Sequence, residues 1–252
     1  MTATSAQPTP PDIDALRVLV VVPAFNEENA IASVIREIRD ALPNAAAVVI
    51  DDGSRDRTAA VARGAGVRVV RMPFNAGIGT AVQTGFKIAA EEDYDVAVQV
   101  DGDGQHPAGE VRVLLEALAT NNANYVIGSR FTAPGTYRPS LARRSGITLF
   151  ARLVSLVTRQ KVTDTTSGLR AADRTTIRLF AAHYPHDYPE VEALILAKRA
   201  GLRILEVPVE MRDRETGRSS ITPIRSLYYM IKVTLAVLVQ CMGRNPLDEE
   251  QS

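Results

Sequence analysis

Cysteine is almost missing from this chain: the single Cys241 excludes an internal disulfide framework and fits a reducing compartment. Net charge is missing too. Lys and Arg number 29 and Asp and Glu number 29, so no global field recruits nucleic acid and any electrostatic targeting is local. No apolar run reaches the roughly 18 residues of a membrane-spanning helix. Residues 1–15 are rich in Thr, Pro, Ala and Ser and have neither the basic start nor the apolar core of a signal peptide; they read as a disordered leader. A protein on the cytosolic side is expected. The chain also has no Walker lysine pattern and no Gly-x-Gly-x-x-Gly after its first strand, which argues against a P-loop enzyme and a standard dinucleotide dehydrogenase.

What is present, at 252 residues and 46% hydrophobic content, suffices for one large domain or a domain with an extension. The runs at 17–22, 47–50, 67–71, 96–100 and 125–128 are short and largely Val/Ile-rich, as parallel strands buried on both faces are. Between them, Ile31, Val34, Ile35, Ile38 and Leu42 keep helical spacing, as do Val111, Leu114, Leu115 and Leu118. Alternating strands and helices predict an open, mostly parallel α/β sheet flanked by helices, with ligands beyond the carboxyl ends of its strands.

The polar motifs fall at those ends. Asp101-Gly102-Asp103-Gly104-Gln105-His106-Pro107 follows the strand at 96–100. Carboxylates at i and i+2 on an extended strand end share a side, and such a pair suits Mg²⁺ or Mn²⁺ carrying a diphosphate; standing alone, the motif would read more readily as a solvated Asp-Gly turn. Pro23-Ala24-Phe25-Asn26-Glu27-Glu28 ends the first strand, with Asn26 as a candidate N-cap and the acids complementing a helix dipole. Asp51-Asp52-Gly53-Ser54-Arg55-Asp56-Arg57-Thr58 ends the second, where an acid can read a ribose or base edge or, at Asp56, cap a helix. Asn75-Ala76-Gly77-Ile78-Gly79-Thr80 is a glycine-rich turn before a helix.

As an ordered set over residues 23–107, these motifs resemble family-two glycosyltransferases of the GT-A fold. Gly128-Ser129-Arg130-Phe131, Asp164-Thr165-Thr166-Ser167-Gly168-Leu169-Arg170 and Arg214-x-x-Gly217-x-Ser219 narrow the resemblance to dolichyl- or polyprenyl-phosphate sugar synthases. The resemblance implies that Pro23, Ala24, Asn26, Glu28 and Gly77 line a nucleotide pocket, with Asp51 and Asp52 reading the base or its neighbouring polar edges. It implies that Asp101 and Asp103 hold the metal and the diphosphate, with Gln105 beside them, and that Arg130 and Arg214 hold phosphate. Asp164 is a candidate for orienting acceptor or sugar, or for a cap or turn. Ile78 and Ser220 stand where the family often has Lys.

Residues 130–161 carry seven basic side chains and no acidic one, interleaved with Leu149, Phe150, Leu153, Val154 and Leu156. They read either as a basic amphipathic surface for anionic lipid or as a core helix with an arginine-rich outer face. Residues 222–243 keep an apolar helical stripe interrupted by Arg225 and Lys232, which predicts an amphipathic helix in the membrane interface or against a partner, followed by a tail at 244–252. Glu190 and Glu192 open a helix, as dipole-favouring acids or facing an acceptor pocket. His183 and His186 lack metal-like partners, and His106 is positional rather than catalytic.

The expectation is a GT-A domain over 16–221 that moves a hexose, with inversion, from a UDP-glucose- or GDP-mannose-type donor to polyprenyl phosphate, peripheral on the inner face of the cell membrane. A small membrane protein or a second copy is a candidate partner of the C-terminal helix. Two alternatives stand beside it: a transferase acting on a glycan or soluble hydroxyl acceptor, for which Asp164, Glu190 or Glu192 would supply a base, and an idle membrane-assembly subunit.

Overall fold

The structure, a computed structural model, describes residues 12–131, 151–152, 154–156, 162–212 and 232. Among these, the five Val/Ile-rich runs form β1 (Val18–Ala24), β2 (Ala46–Asp51), β3 (Arg68–Arg71), β4 (Val96–Gln99) and β5 (Tyr125–Ser129). Two further strands, β6 (Arg170–Asp173) and β7 (Ile204–Pro208), complete one sheet of order β3-β2-β1-β4-β6-β5-β7. Strands β1 to β4 and the β5–β7 pair run parallel, while β6 is antiparallel to both β4 and β5. The expected mostly parallel α/β sheet is therefore present, with one reversed strand.

Strand periodicity sends alternate side chains to opposite faces, and both faces are covered. On one, Leu19 and Val21 of β1 pack with Val82 and Phe86 of α3 (Ile78–Glu91), Phe180 of α5 (Arg174–Ala182) and Leu194 of α6 (Pro189–Arg199). On the other, Val18, Val20 and Val22 meet Ile31 and Ile35 of α1 (Ile31–Ala41) and Leu114 of α4 (Glu110–Thr120). A short α2 (Thr58–Gly64) precedes β3. Fully burying each such aliphatic side chain contributes about 1.5–3 kcal/mol, and truncating the fully buried Leu114 to alanine would cost about 2–5 kcal/mol.

Three expectations change. The Asp101–Gly104 segment is a turn after β4 rather than an extended strand end, with Gly104 at φ 77°. Helix α1 begins at Ile31 after a cap at Ala30 that makes no side-chain bond, so Asn26 is not its N-cap; Asn26 instead sits in the left-handed region at φ 56°. At the leader, Ile13–Ala15 form a 3-10 turn whose Asp12 side chain accepts from the Asp14 N–H, so part of the expected disordered stretch is ordered. Arg214, the helix expected at 222–243 (apart from Lys232), the tail and most of the basic stretch lie outside the described residues. No helix among the described residues is long and apolar enough to cross a membrane.

Candidate active site

The carboxyl ends of β1, β2 and β4 converge on a cavity of about 330 Å³. Pro23 and Ala24 end β1, Asp52 follows β2, Gly77 leads into α3, and Asp101 and Asp103 follow β4; all six line it. Phe25, Glu27, Asn75 and Ile78, none of them expected in the pocket, line it as well. Phe25 and Ile78 are exposed despite their apolar character, and exposed apolar side chains at a cavity mouth were the signal that would have found them.

Four residues expected in the nucleotide or metal set do not line the cavity. Asn26 joins two loops: its N–H donates to Ser54 Oγ at 2.9 Å, and its side-chain oxygen accepts from the Arg55 N–H at 2.9 Å. Glu28 accepts from both the backbone N–H and Nε of Arg57. Asp51 is fully buried, taking the Ser54 N–H on Oδ1 and facing Arg71 Nε at 3.3 Å on Oδ2, a charge contact without hydrogen-bond geometry. Gln105 engages its neighbours through its backbone, donating to Asp103 Oδ1 at 3.1 Å and accepting from the Arg212 N–H at 2.9 Å. The first three are ties that shape the pocket wall. Asp52 does the same from inside the pocket, its two oxygens accepting from the N–H groups of Ala76 and Gly77 at 2.8 and 3.0 Å. Gly53 permits this wall: at φ 69° it is left-handed, and a Cβ there would lie 2.5 Å from the Phe74 backbone.

Asp101 and Asp103 share the cavity floor. The buried His106 places Nε2 at 3.7 Å from Asp101 Oδ2, and neither ring nitrogen has a hydrogen-bond partner. Burial lowers the imidazole's pKa, against the raising effect of Asp101 and Asp103, so it is neutral at neutral pH and makes no ion pair. Gln99 Nε2 donates to Asp101 Oδ1 at 3.5 Å, and Gly168 packs against the carboxylate: a Cβ there would lie 1.9 Å from Asp101 Oδ2. Backbone and carboxylate thus touch, and only glycine fits. The donor set suits Mg²⁺ or Mn²⁺, which takes one or two protein carboxylates and completes its shell with substrate phosphates. No group of three or more His, Cys, Asp or Glu side chains able to hold an ion occurs among the described residues. A cation here would be shared with a bound diphosphate.

A second charged unit lies outside the residues that line the cavity. Arg130 donates Nε and Nη2 to the two oxygens of Asp164 at 2.6 and 2.7 Å, adds its backbone N–H at 3.1 Å, and reaches Thr166 Oγ1 at 2.6 Å. Asp164 is fully buried; burial raises its pKa, but the hydrogen bonds and charge of Arg130 outweigh that and hold it below the usual carboxylate range. Two residues expected at the site for separate reasons are brought together, with Asp164 bound to Arg130. Both units act on His106, which feels the charges of Asp101, Asp103, Arg130 and Asp164 together.

Glu190 opens α6 partly buried; burial pushes its carboxyl up, with Arg170 pulling the other way. Glu192 is buried and likewise raised by burial. His186 Nδ1 meets Thr80 Oγ1 at 3.3 Å, and the buried Nε2 of His183 has no hydrogen-bond partner.

A cavity at the carboxyl ends of parallel strands, lined by two carboxylates, is an arrangement that can receive a nucleoside diphosphate with a divalent cation. The sequence model of Glycosyl transferase family 2 matches residues 19–179, and the chain belongs to that family. It is a glycosyltransferase. It is 32% identical to the undecaprenyl-phosphate mannosyltransferase of Micrococcus luteus over 82% of this chain and 88% of that protein. It is 30% identical to the polyprenol monophosphomannose synthase of Mycolicibacterium smegmatis over 86% of this chain and 85% of that protein. Among solved structures, glucosyl-3-phosphoglycerate synthase from Mycobacterium tuberculosis, in complex with Mn²⁺, uridine diphosphate and phosphoglyceric acid, superposes with a TM-score of 0.69 at 26% identity, covering 92% of this chain and 81% of that one.

Proposed function

We propose that this glycosyltransferase moves a hexose from a nucleotide-diphosphate sugar to polyprenyl phosphate, with inversion, at the cytosolic membrane surface. The observation that carries the reading is the convergence on His106 of an acid pair and a guanidinium pinned by a buried aspartate. The first suits the donor's diphosphate; the second suits an acceptor that is itself a phosphate. Kinship with lipid-phosphate mannosyltransferases supports the acceptor class, and the Mn²⁺–UDP complex of the structural neighbour supports a metal-carried donor.

Asp101 and Asp103, with Gln105 beside them, would hold Mg²⁺ or Mn²⁺, whose Lewis acidity stabilises a departing nucleoside diphosphate. Pro23, Ala24 and Gly77 would bound the donor, and the loop ties through Asn26, Glu28, Asp51 and Asp52 keep its pocket open before binding. Arg130, and Arg214 beyond the described residues, would orient the acceptor phosphate toward the anomeric carbon. A phosphate oxygen is already anionic near neutral pH and needs little help from a base. The test is a donor panel of UDP-glucose, GDP-mannose and related sugars with polyprenyl phosphate and Mn²⁺: label should move into the organic-solvent phase. Label appearing only on soluble hydroxyl acceptors would favour the second reading, in which Glu190, raised by burial and within reach of the Asp101 charge, serves as base. A chain ending at Ser220 should stay folded yet lose flotation with anionic liposomes, since apolar burial anchors weakly without basic help; continued flotation would remove residues 222–243 as the anchor.

A further inference from the structure

The segment from Thr163 to Leu169 joins the two charged units. Asp164 near its start grips Arg130, and Gly168 near its end presses on Asp101. It is held at both ends by charges of opposite sign, a half-buried carboxylate and a buried guanidinium. Glu206 of β7 accepts from the Thr163 N–H on both oxygens at 2.9 Å, from Thr163 Oγ1 at 2.8 Å and from the Asp164 N–H at 2.9 Å. Arg170, 2% exposed, donates Nε to the Ser167 carbonyl at 2.7 Å, Nη2 to the Thr165 carbonyl at 3.2 Å and Nη1 to the Tyr125 hydroxyl at 2.9 Å. Burial opposes the Arg170 charge, and Tyr125, Tyr184 and Glu190 outweigh it. An anion thus takes the N–H groups and a cation takes the carbonyls of one stretch of backbone.

We propose that Arg170 and Glu206 are positioning residues that fix the spacing between donor and acceptor ends of the site, Arg170 acting on Asp101 through Gly168 and Glu206 acting on Arg130 through Asp164. The inference rests on the transfer reading above. Packing alone does not call for these groups, because desolvating a charge is costly and an apolar side chain fills the same volume without it. What the charges supply is direction. A guanidinium fork fixes two carbonyls at once, which a lysine of equal charge does not.

Arg170→Lys should weaken calorimetric binding of Mn²⁺ with UDP or GDP, whichever the parent binds, by about tenfold, the low end of the loss seen when an outer-shell partner of a metal ligand is removed. It should leave binding of a short-chain polyprenyl phosphate within about twofold. Glu206→Gln should do the reverse. General destabilisation would lower both affinities in both variants, and that result, or no change in either, would overturn the proposal. Should Arg170→Lys fail to fold, Tyr125→Phe decides the Arg170 half: it removes one acceptor without stranding a charge, and it should weaken Mn²⁺-nucleotide binding alone. A parent that binds Mn²⁺-nucleotide but neither binds nor glycosylates polyprenyl phosphate would overturn the transfer reading and the Glu206 half with it, while the calorimetry still decides Arg170.

Discussion

The parallel strands β1 to β4 and the mixed strands β5 to β7 build their halves of the site by different means. In the first, the loops at the strand ends are stitched by carboxylate, amide and hydroxyl oxygens that accept from backbone N–H groups: Ser54 Oγ from Asn26, Asn26 from Arg55, Asp51 from Ser54, Asp52 from Ala76 and Gly77. These ties are many and each is modest. In the second, few groups do the holding and all are charged: the half-buried Arg130 with the buried Asp164, the buried Arg170 and the half-buried Glu206. The contrast teaches that the cavity wall on the β1–β4 side is held by several modest ties, whereas the β5–β7 side rests on a few charged side chains, among which removing Arg130 or Asp164 leaves the other's charge without its partner.

The largest effect expected lies where the halves meet. Asp103→Asn replaces a charged ligand with a neutral amide, a far poorer ligand for a hard cation carrying a diphosphate. Transfer should fall by more than the roughly 100-fold that losing an outer-shell partner costs, with the circular dichroism and melting curve unchanged. Turnover within a few-fold of the parent at saturating Mn²⁺ would remove Asp103 from the metal set.

Next comes Arg130→Ala, which should destabilise the fold by about 3–5 kcal/mol in denaturant titrations, because it leaves Asp164 buried without its partner. The pair also sets a pH window. The Asp164 pKa is depressed in the folded chain, so its contribution is complete above the unfolded value of about 3.9 and is lost as pH falls through the lower folded value. Melting of the parent should therefore show no loss from this pair between neutral pH and about 5, and an Asp164→Asn chain should lack the parent's added acid sensitivity below about 4. Arg130→Ala behaving like a surface substitution would dissolve the contrast between the halves.

Legibility in the sequence follows the same division. Strands β1, β2, β4 and β5 were readable because burial demands near-unbroken apolar runs, while β3, at the sheet edge with Arg68 and Arg71 exposed, was readable from its paired valines although it is not buried on both faces as expected. Strand β6, Arg170-Ala171-Ala172-Asp173, has no such run; it is short, its alanines are buried by β4 and β5 on either side, and its direction is fixed by pairing between Gln99 and Arg170 that no local pattern encodes. In β7, Glu206 between Leu205 and Val207 looks like an ordinary outward side chain of a half-buried strand, yet its partners lie 42 and 43 residues away. Asp101 and Asp103 were legible as cavity residues because they follow a strand end with glycines flanking them. Asn26, Glu28 and Asp51 were placed in the pocket because motif membership says which loop a residue belongs to and not which way it faces; their partners come from another strand end about 30 residues on, or, for Asp51, from the turn itself and β3.

The smallest effect expected tests the donor half directly. Asp52→Asn keeps the shape of a side chain whose two oxygens accept from Ala76 and Gly77, but an amide offers one oxygen, and its NH₂ would face the other N–H. One hydrogen bond to a charged acceptor is lost at a site that is only 4% exposed, for about 1.5–3 kcal/mol. The turn carrying Gly77 would loosen, so donor nucleotide should bind a few-fold more weakly while the KM for acceptor stays the same. The sequence reading, in which Asp52 reads the base, makes a different demand: the amide would change the preference between UDP and GDP and leave the melting temperature alone. Measuring the melting curve and both nucleotide affinities on one variant separates a stitch from a reader. A preserved melting temperature with a shifted base preference would return Asp52 to base recognition and leave the donor pocket with one structural tie fewer than the hydrogen bonds imply.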